Sequence, residues 1–219
     1  MKKRVFNLII VDESGSMSCI ERQTVSGLNE TLQTIRQVQK ENPEQEHLAT
    51  VIFFSSSEVR TLYNAVPANE ARDIEPRDYQ PGGCTPLYDA VGNGITNLRG
   101  LVAPADSVLV TILTDGEENA SQEYNHAAIK ALIDNQKKQD WVFTFIGANI
   151  DVPTVSHDLG INFCMSFSQD EAGTREMFAR ERRSRSKLFS KLGAKMKNCD
   201  GAAPCPMAEL ADEDGYFES

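Results

Sequence analysis

The stretch Val5-Phe-Asn-Leu-Ile-Ile-Val-Asp-Glu-Ser-Gly-Ser16 joins an apolar run to a cluster of oxygen-bearing side chains. The apolar part predicts a buried strand, and Asp12, Ser14 and Ser16 follow it at intervals of two residues. A strand that ends here places Asp12 at the carboxyl edge of a sheet. The glycine between the serines permits the tight turn that brings both hydroxyls toward the same point. This arrangement is the beginning of a divalent-cation site.

Two distant segments supply further oxygens. Mg²⁺ takes about six oxygen ligands at roughly 2.0 to 2.1 Å, which is more than one short motif can supply. The glycine-rich segment Pro81–Asp89 contains the hydroxyl of Thr85, and the segment Thr114–Glu118 contains Asp115 at the end of a second apolar run. The sequence therefore predicts that three loops converge on one cation.

Together the three segments resemble the metal-ion-dependent adhesion site (MIDAS) of the von Willebrand factor A (VWA) domain family, over about residues 4–168. The resemblance is to a stand-alone, intracellular member of bacterial type. It implies that Mg²⁺, or else Mn²⁺ or Ca²⁺, is held by five side chains, which are Asp12, Ser14, Ser16, Thr85 and Asp115. We also expect a partner-binding rim that consists of Glu13, Cys84, Glu117 and Glu118.

Each part of the motif also has an ordinary structural interpretation. Ser14 or Ser16 suits the cap of a following helix, and Thr85 before Pro86 is typical of a helix start. Asp115 followed by glycine is typical of a turn. The joint occurrence of the three segments, two of them at the ends of strand-like runs, favours the metal site.

The rest of the pattern predicts an α/β fold. Short apolar runs predict five buried strands, at Val5–Val11, Ala49–Phe54, Val108–Leu113, Trp141–Ile146 and Ile161–Phe167. The alternating segment Val59–Tyr63 predicts an edge strand in a hairpin with the strand before it. Residues at helical spacing lie between the strands, around Val25–Ile35, Leu87–Leu98 and Ile129–Ile133. The expected architecture is a Rossmann-like, doubly wound, mostly parallel sheet with one antiparallel edge strand and helices on both faces, and its site lies where the winding reverses.

The chain divides into a domain and two C-terminal segments. Residues 1–170 form the predicted VWA domain with its MIDAS. Residues 171–198 carry nine basic and three acidic residues and predict a helix, either packed on the domain or appended to it. Its apolar docking positions are Met177, Phe178, Leu188, Phe189 and Leu192. Residues 199–219 carry six acidic and no basic residues, and we expect this tail to be weakly structured.

Composition argues against several classes of function. The formal charge of -10 opposes general attraction to nucleic acid or to anionic membranes. The cysteines are scattered and share no ligand-like spacing with the histidines, so we expect neither a disulfide framework nor a zinc site, and Cys199 and Cys205 are expected to be free thiols. The N-terminal apolar run lacks a cleavage site, and no run approaches the roughly 18 apolar residues of a membrane span. We expect a soluble, cytoplasmic protein.

The predicted function is metal-dependent protein–protein interaction, in which the cation keeps an open position for an Asp or Glu of a partner. One alternative is an accessory subunit of an ATP-driven complex, whose ATPase would be another polypeptide because this chain has no P-loop. Another is a metal-dependent hydrolase with Glu117 or Glu118 as its base, although no Lys or Arg lies near the motifs in sequence to hold a phosphate. We therefore expect a binding protein rather than an enzyme.

Overall fold

The structure, a computed structural model, describes residues 2–56, 58–198, 206–213 and 215–217. Its strands are β1 (Lys3–Asp12), β2 (Gln45–Phe54), β3 (Val59–Pro67), β4 (Ser107–Thr114), β5 (Trp141–Gly147) and β6 (Phe163–Ser166). They form one sheet in the order β3-β2-β1-β4-β5-β6. The pairing of β2 with β3 is antiparallel, and the other pairings are parallel. The predicted mostly parallel sheet with one antiparallel edge strand is confirmed.

The helices are α1 (Glu21–Glu41), α2 (Leu87–Arg99), α3 (His126–Lys137), α4 (Val152–Asp158), α5 (Glu171–Asn198) and α6 (Met207–Asp212). Two short 3-10 helices lie at Gly15–Ile20 and Pro76–Asp78. The apolar stripes predicted for α1, α2 and α3 point into the core, whereas α4 and α6 are too short to give a periodic signal. None of the helices in the described ranges is long and apolar enough to cross a membrane.

The sheet separates two hydrophobic cores. Successive side chains of a strand point to opposite faces, so Val5, Ile9 and Val11 of β1 join the core formed with α1, α5 and α6. The alternate residues of β1, from Phe6 to Ile10, join the core formed with α2, α3 and α4. Helices therefore cover both faces, as a mostly parallel sheet requires.

Helix α5 is packed on the sheet as part of the first core. Its five predicted docking residues are all buried. Beside them lies Arg185, which is 0% exposed and donates 2.8 Å hydrogen bonds to Asn7 Oδ1 of β1 and Thr111 Oγ1 of β4. The guanidinium also pairs with buried Glu181 one helical turn earlier. The helix is thus fixed to the sheet by a buried polar network as well as by apolar contacts.

The C-terminal tail corrects one expectation. Instead of being weakly structured, its described residues form α6 and bury Tyr216 and Phe217 in the first core. The backbone amides at the start of α6 donate to the carboxylate of Asp140 at 2.7 and 2.8 Å. Composition misled here because two of the described acidic side chains pair with lysines of α5, Glu209 with Lys195 at 3.8 Å and Glu213 with Lys191 at 3.9 Å, while described apolar side chains point inward. Residues 199–205, with Cys199 and Cys205, lie outside the described residues.

The winding of the sheet reverses between β1 and β4. Strand β1 pairs with β2 on one side and with β4 on the other. Asp12 is the last residue of β1, and Asp115 follows the last residue of β4. Open α/β sheets bind ligands at such a reversal, because the loops that leave the carboxyl ends of the two strands diverge there.

Candidate metal-binding site

The first and second motif loops are joined by their backbones. The Gly15 N–H donates to the carbonyl of Gly83 at 3.1 Å, and the Gly82 N–H donates to the carbonyl of Glu13 at 2.8 Å. Gly83 has a φ of 77°, a left-handed conformation that glycine adopts without strain. A Cβ atom on Gly83 would also lie 2.3 Å from Ser56 Oγ, so both the conformation and the space at this position favour glycine.

Asp12 is a fully buried carboxylate with a hydrogen bond on each oxygen. Oδ1 accepts from the backbone N–H of Ser14 at 2.7 Å, and Oδ2 accepts from the hydroxyl of Thr114 at 2.6 Å. Burial raises the pKa of Asp12 to about 6, although the hydrogen bonds from Thr114 and Ser14 oppose the rise. The carboxylate is thus held in place by neutral donors.

A chain of hydrogen bonds connects the first loop to the third. The hydroxyls of Ser14 and Ser16 lie 3.2 Å apart, and Ser16 Oγ donates to Asp115 Oδ1 at 2.7 Å. Ser14 and Asp115 are buried, whereas Ser16 is exposed. Burial also raises the pKa of Asp115, against the hydrogen bond from Ser16. Four of the five predicted ligands therefore form one cluster that opens to solvent at Ser16.

Thr85, the fifth predicted ligand, lies against the third loop. A Cβ atom placed on Gly116 would be 3.4 Å from Thr85 Oγ1. The backbone of Thr85 is fixed there by Asn119, whose side-chain oxygen accepts from the Thr85 N–H at 2.9 Å and whose N–H donates to the Thr85 carbonyl at 3.1 Å. Its hydroxyl is therefore presented beside the turn that carries Asp115.

The ordinary interpretations of these hydroxyls find no support in the contacts. Ser14 occupies the N-cap of the first 3-10 helix but makes no side-chain capping bond. The N-cap of α2 is Pro86, and the first amides of that helix donate instead to Glu118, at 2.9 Å from Tyr88, and to Ser121, at 3.1 Å from Asp89. The hydroxyl of Thr85 is not a helix cap.

The four predicted rim residues differ in what they offer a partner. Cys84 and Glu117 are exposed. Glu13 is buried, and its carboxylate accepts from Arg60 at 3.0 Å and from the Gln80 N–H at 2.6 Å. Glu118 accepts from the backbone of α2 and from the Ala120 and Ser121 amides. The structure therefore leaves two of the four residues available and commits the other two to holding loops together.

The donor set suits a hard divalent cation. Among the residues described, no Lys or Arg forms an ion pair with Asp12 or Asp115, so two buried carboxylates share a cleft without a basic partner. The described ranges also contain no group of three or more His, Cys, Asp or Glu residues arranged for a metal. A cation here would depend on serine and threonine hydroxyls beside the carboxylates, and Mg²⁺ accepts such oxygen ligands.

Comparison of the sequence finds no matching family model and no similar curated protein. Comparison of the structure is informative. A von Willebrand factor type A protein from Catenulispora acidiphila superposes with a TM-score of 0.64 and 16% identity, over 85% of this chain and 42% of that one. The SpRpn10 VWA domain superposes with a TM-score of 0.56 and 11% identity, over 83% of this chain and 95% of that one. This chain has the VWA fold.

A third structural neighbour is the pilus adhesin SpaC from Lactobacillus rhamnosus GG, with a TM-score of 0.64 and 14% identity. The match covers 85% of this chain and 30% of SpaC. This chain thus spans less than half of the C. acidiphila protein and of SpaC. At these identities the likeness establishes the fold, and the site has to be argued from the residues of this chain.

Sequence reasoning missed four residues that shape the site. Thr114 holds Asp12, and Arg60 pairs with Glu13 although no basic residue lies near the motifs in sequence. Gln169 donates to Asp115, and Asn149 donates to Gln169. The sequence could have indicated Thr114, because it carries a hydroxyl at the end of a strand next to Asp115. The other three come from distant segments, and nothing in their local sequence connects them to the motifs.

Proposed function

We propose that this chain is a divalent-cation-dependent protein-interaction module, in which Asp12, Ser14, Ser16, Thr85 and Asp115 hold the cation. The observation that carries the proposal is the hydrogen-bonded cluster of Asp12, both serines and Asp115 at the sheet reversal, with two buried carboxylates and no basic partner in the described residues. Mg²⁺ is the expected cation, with Mn²⁺ or Ca²⁺ as substitutes.

The bound cation would supply positive charge at an exposed position of the cleft. Five side-chain ligands leave a position of the roughly six-coordinate shell open, and three of the five are neutral hydroxyls that do not quench the charge of the cation. Ser16 is exposed, so the cleft opens to solvent on its side. An Asp or Glu side chain of a partner protein is the expected ligand from outside, because attraction to a divalent charge in a partly desolvated cleft exceeds that of a surface ion pair.

Binding is favoured over hydrolysis by the way nearby charged groups are used. A hydrolytic site would need a free base and a basic group to hold a phosphate. Glu117 is exposed and free to act as a base, but Glu118 is occupied by backbone amides. The arginine near the cleft, Arg60, is occupied by Glu13 and by the carbonyl of Asp78 at 2.7 Å, so it is not free to hold a phosphate. Cytoplasmic location and the accessory-subunit alternative remain predictions from the sequence.

A peptide selection tests the proposal and does not require the partner protein to be identified. Immobilised protein would select from a displayed random peptide library in Mg²⁺ and, in parallel, in chelator. We expect the Mg²⁺ pool to be enriched in Asp or Glu at one fixed position, and the enrichment to vanish in chelator and with the Ser16→Ala variant.

Ser18→Ala is the matched control. Ser18 lies two residues from Ser16 in the same 3-10 helix, but its hydroxyl donates to the carbonyl of Gly15 at 2.7 Å and belongs to no part of the cluster. This variant should select the same peptides as the wild type. Equal enrichment with and without chelator would remove the cation from the recognition mechanism.

A further inference from the structure

The side chain of Gln169 lies in the candidate cation cleft. It comes from the loop between β6 and α5, and its amide nitrogen donates to Asp115 Oδ2 and, at 2.9 Å, to the backbone carbonyl of Ser16. The amide of Asn149 donates to Gln169 Oε1. These three contacts orient the carboxamide with its nitrogen toward Asp115 and its oxygen away from it.

The loop that carries Gln169 is fixed at both ends. The Phe167 N–H donates to the carbonyl of Gly147 at the end of β5, at 3.0 Å. On the other side, Asp170 accepts from the Gly173 N–H at 2.8 Å in the first turn of α5. A Cβ atom on Gly173 would lie 2.4 Å from the carbonyl oxygen of Ser168, so the helix start and the loop are in close contact. Gln169 therefore reaches the cleft from a well-defined turn.

The arrangement occupies both carboxylate oxygens of Asp115. Oδ1 accepts from the Ser16 hydroxyl, and Oδ2 accepts from the Gln169 amide. A hydroxyl can turn its lone pairs to a cation while it remains in place, because the same oxygen is donor and ligand. An amide nitrogen has hydrogens and no free lone pair, so it cannot serve as a ligand and its N–H groups oppose a nearby positive charge.

We propose that the carboxamide of Gln169 is an intramolecular competitor of the divalent cation for Asp115. This inference rests on the proposed function and adds a determinant of its cation affinity that lies outside the five-residue motif. Cation binding releases the Gln169 amide from Asp115. The free energy of cation binding is therefore less favourable by the free energy of that hydrogen bond. Asn149 supports the competing state because it holds the amide oxygen.

Titration of the 219-residue chain with Mn²⁺ by calorimetry tests the proposal. Gln169→Ala removes a hydrogen bond to a charged group, so it should lower the dissociation constant for Mn²⁺ about tenfold. Asn149→Gly should change it in the same direction, and glycine suits the φ of 57° at that position. Ser168→Ala, an exposed neighbour in the same turn, should match the wild type.

The outcomes separate this inference from the proposed function. If the wild type binds Mn²⁺ and Asp12→Ala does not, while Gln169→Ala binds with unchanged or weaker affinity, the competitor role is wrong and the cation site stands. If neither the wild type nor Gln169→Ala binds Mn²⁺, both proposals fail. Binding by Gln169→Ala alone would support the competitor role strongly.

Nuclear magnetic resonance gives a second readout that does not depend on the stability of a variant. The side-chain amide signals of Gln169, assigned by their loss in Gln169→Ala, should shift when the wild type is saturated with Mg²⁺. The signals of Gln139, which lies two residues beyond the end of α3, should not move. Unchanged Gln169 signals in Mg²⁺-saturated protein would overturn the proposal.

Discussion

The hydroxyl of Thr114 at the end of β4 donates a 2.6 Å hydrogen bond to Asp12 at the end of the neighbouring strand β1. This contact joins the two strands where the winding of the sheet reverses, and it holds a carboxylate that is 0% exposed. Asp12 therefore carries a cost in the metal-free protein that a bound cation would offset.

Asp12→Asn should stabilise the metal-free protein at pH 7. The rise of the Asp12 pKa from 3.8 to about 6 corresponds to at most about 3 kcal/mol of lost stability once the group is ionised. Asparagine removes the charge, and Thr114 can then donate to the Gly116 carbonyl, 3.0 Å away. We expect the free energy of unfolding in urea to increase by about 1 to 3 kcal/mol, given that range of cost. Mg²⁺ should stabilise the wild type and not this variant, and a less stable metal-free variant would contradict the account.

Cation affinity should depend on pH in a defined direction. Because the pKa of Asp12 is raised to about 6, its folded carboxyl takes up a proton as the pH falls through that value, and the proton competes with the cation. The Mn²⁺ affinity should therefore fall below pH 6, by about tenfold per pH unit for one competing proton, and level off above pH 7. In metal-free protein the same group makes stability decrease as the pH rises from about 4 to 6. Calorimetry at pH 5, 6 and 7.5 measures the first effect, and a flat profile would rule out Asp12 as a ligand.

Thr85→Ala should change cation affinity, whereas Ser121→Ala should change stability. Thr85 is a predicted ligand that caps no helix, so its replacement should weaken Mn²⁺ binding and change stability by less than about 1 kcal/mol. Ser121 accepts from the Asp89 amide of α2 and donates to Glu118 at 2.7 Å, so its replacement should cost about 1 kcal/mol and leave the Mn²⁺ affinity unchanged. Calorimetry and urea unfolding on both variants compare the two quantities. A Thr85 variant with wild-type affinity would remove that hydroxyl from the ligand set.

Arg185→Met should destabilise the protein by about 3 to 5 kcal/mol, because it leaves the buried carboxylate of Glu181 without its charged partner. Replacing both residues, as Arg185→Met with Glu181→Leu, should recover a large part of the loss, since an apolar pair has no buried charge to compensate. Urea unfolding of the two single variants and the double variant measures this coupling. Additive losses would show that the pair does not act as a unit.

A chain that ends at Phe167 should not fold. Truncation there removes α5 and α6 and exposes the part of one sheet face that they cover, including Ile9, together with the surface of α1 that packs against α5. An exposed apolar face of this size promotes aggregation. We expect an insoluble product or one without a cooperative thermal transition, and a soluble, cooperatively folded product would show that α5 is dispensable.

The sequence by itself determined the mostly parallel sheet with its antiparallel edge strand, and it indicated the candidate site at the carboxyl ends of β1 and β4. These features depend on local patterns: continuous apolar runs for strands buried on both faces, helical spacing between them, and polar motifs where the strands end. Asp12, Ser14, Ser16 and Asp115 could be found in this way because each lies beside its strand.

Only the tertiary structure decided which charged side chains are paired and which distant residues contact the candidate site. Arg60, Gln169 and Arg185 each act on residues at least 47 positions away, and the sequence pattern around them is that of an ordinary polar surface. The acidic tail shows the same limit, because the described residues Tyr216 and Phe217 are buried while Glu209 and Glu213 pair with lysines of α5. Burial and pairing depend on which distant segments pack together, and periodicity within a segment carries no information about that choice.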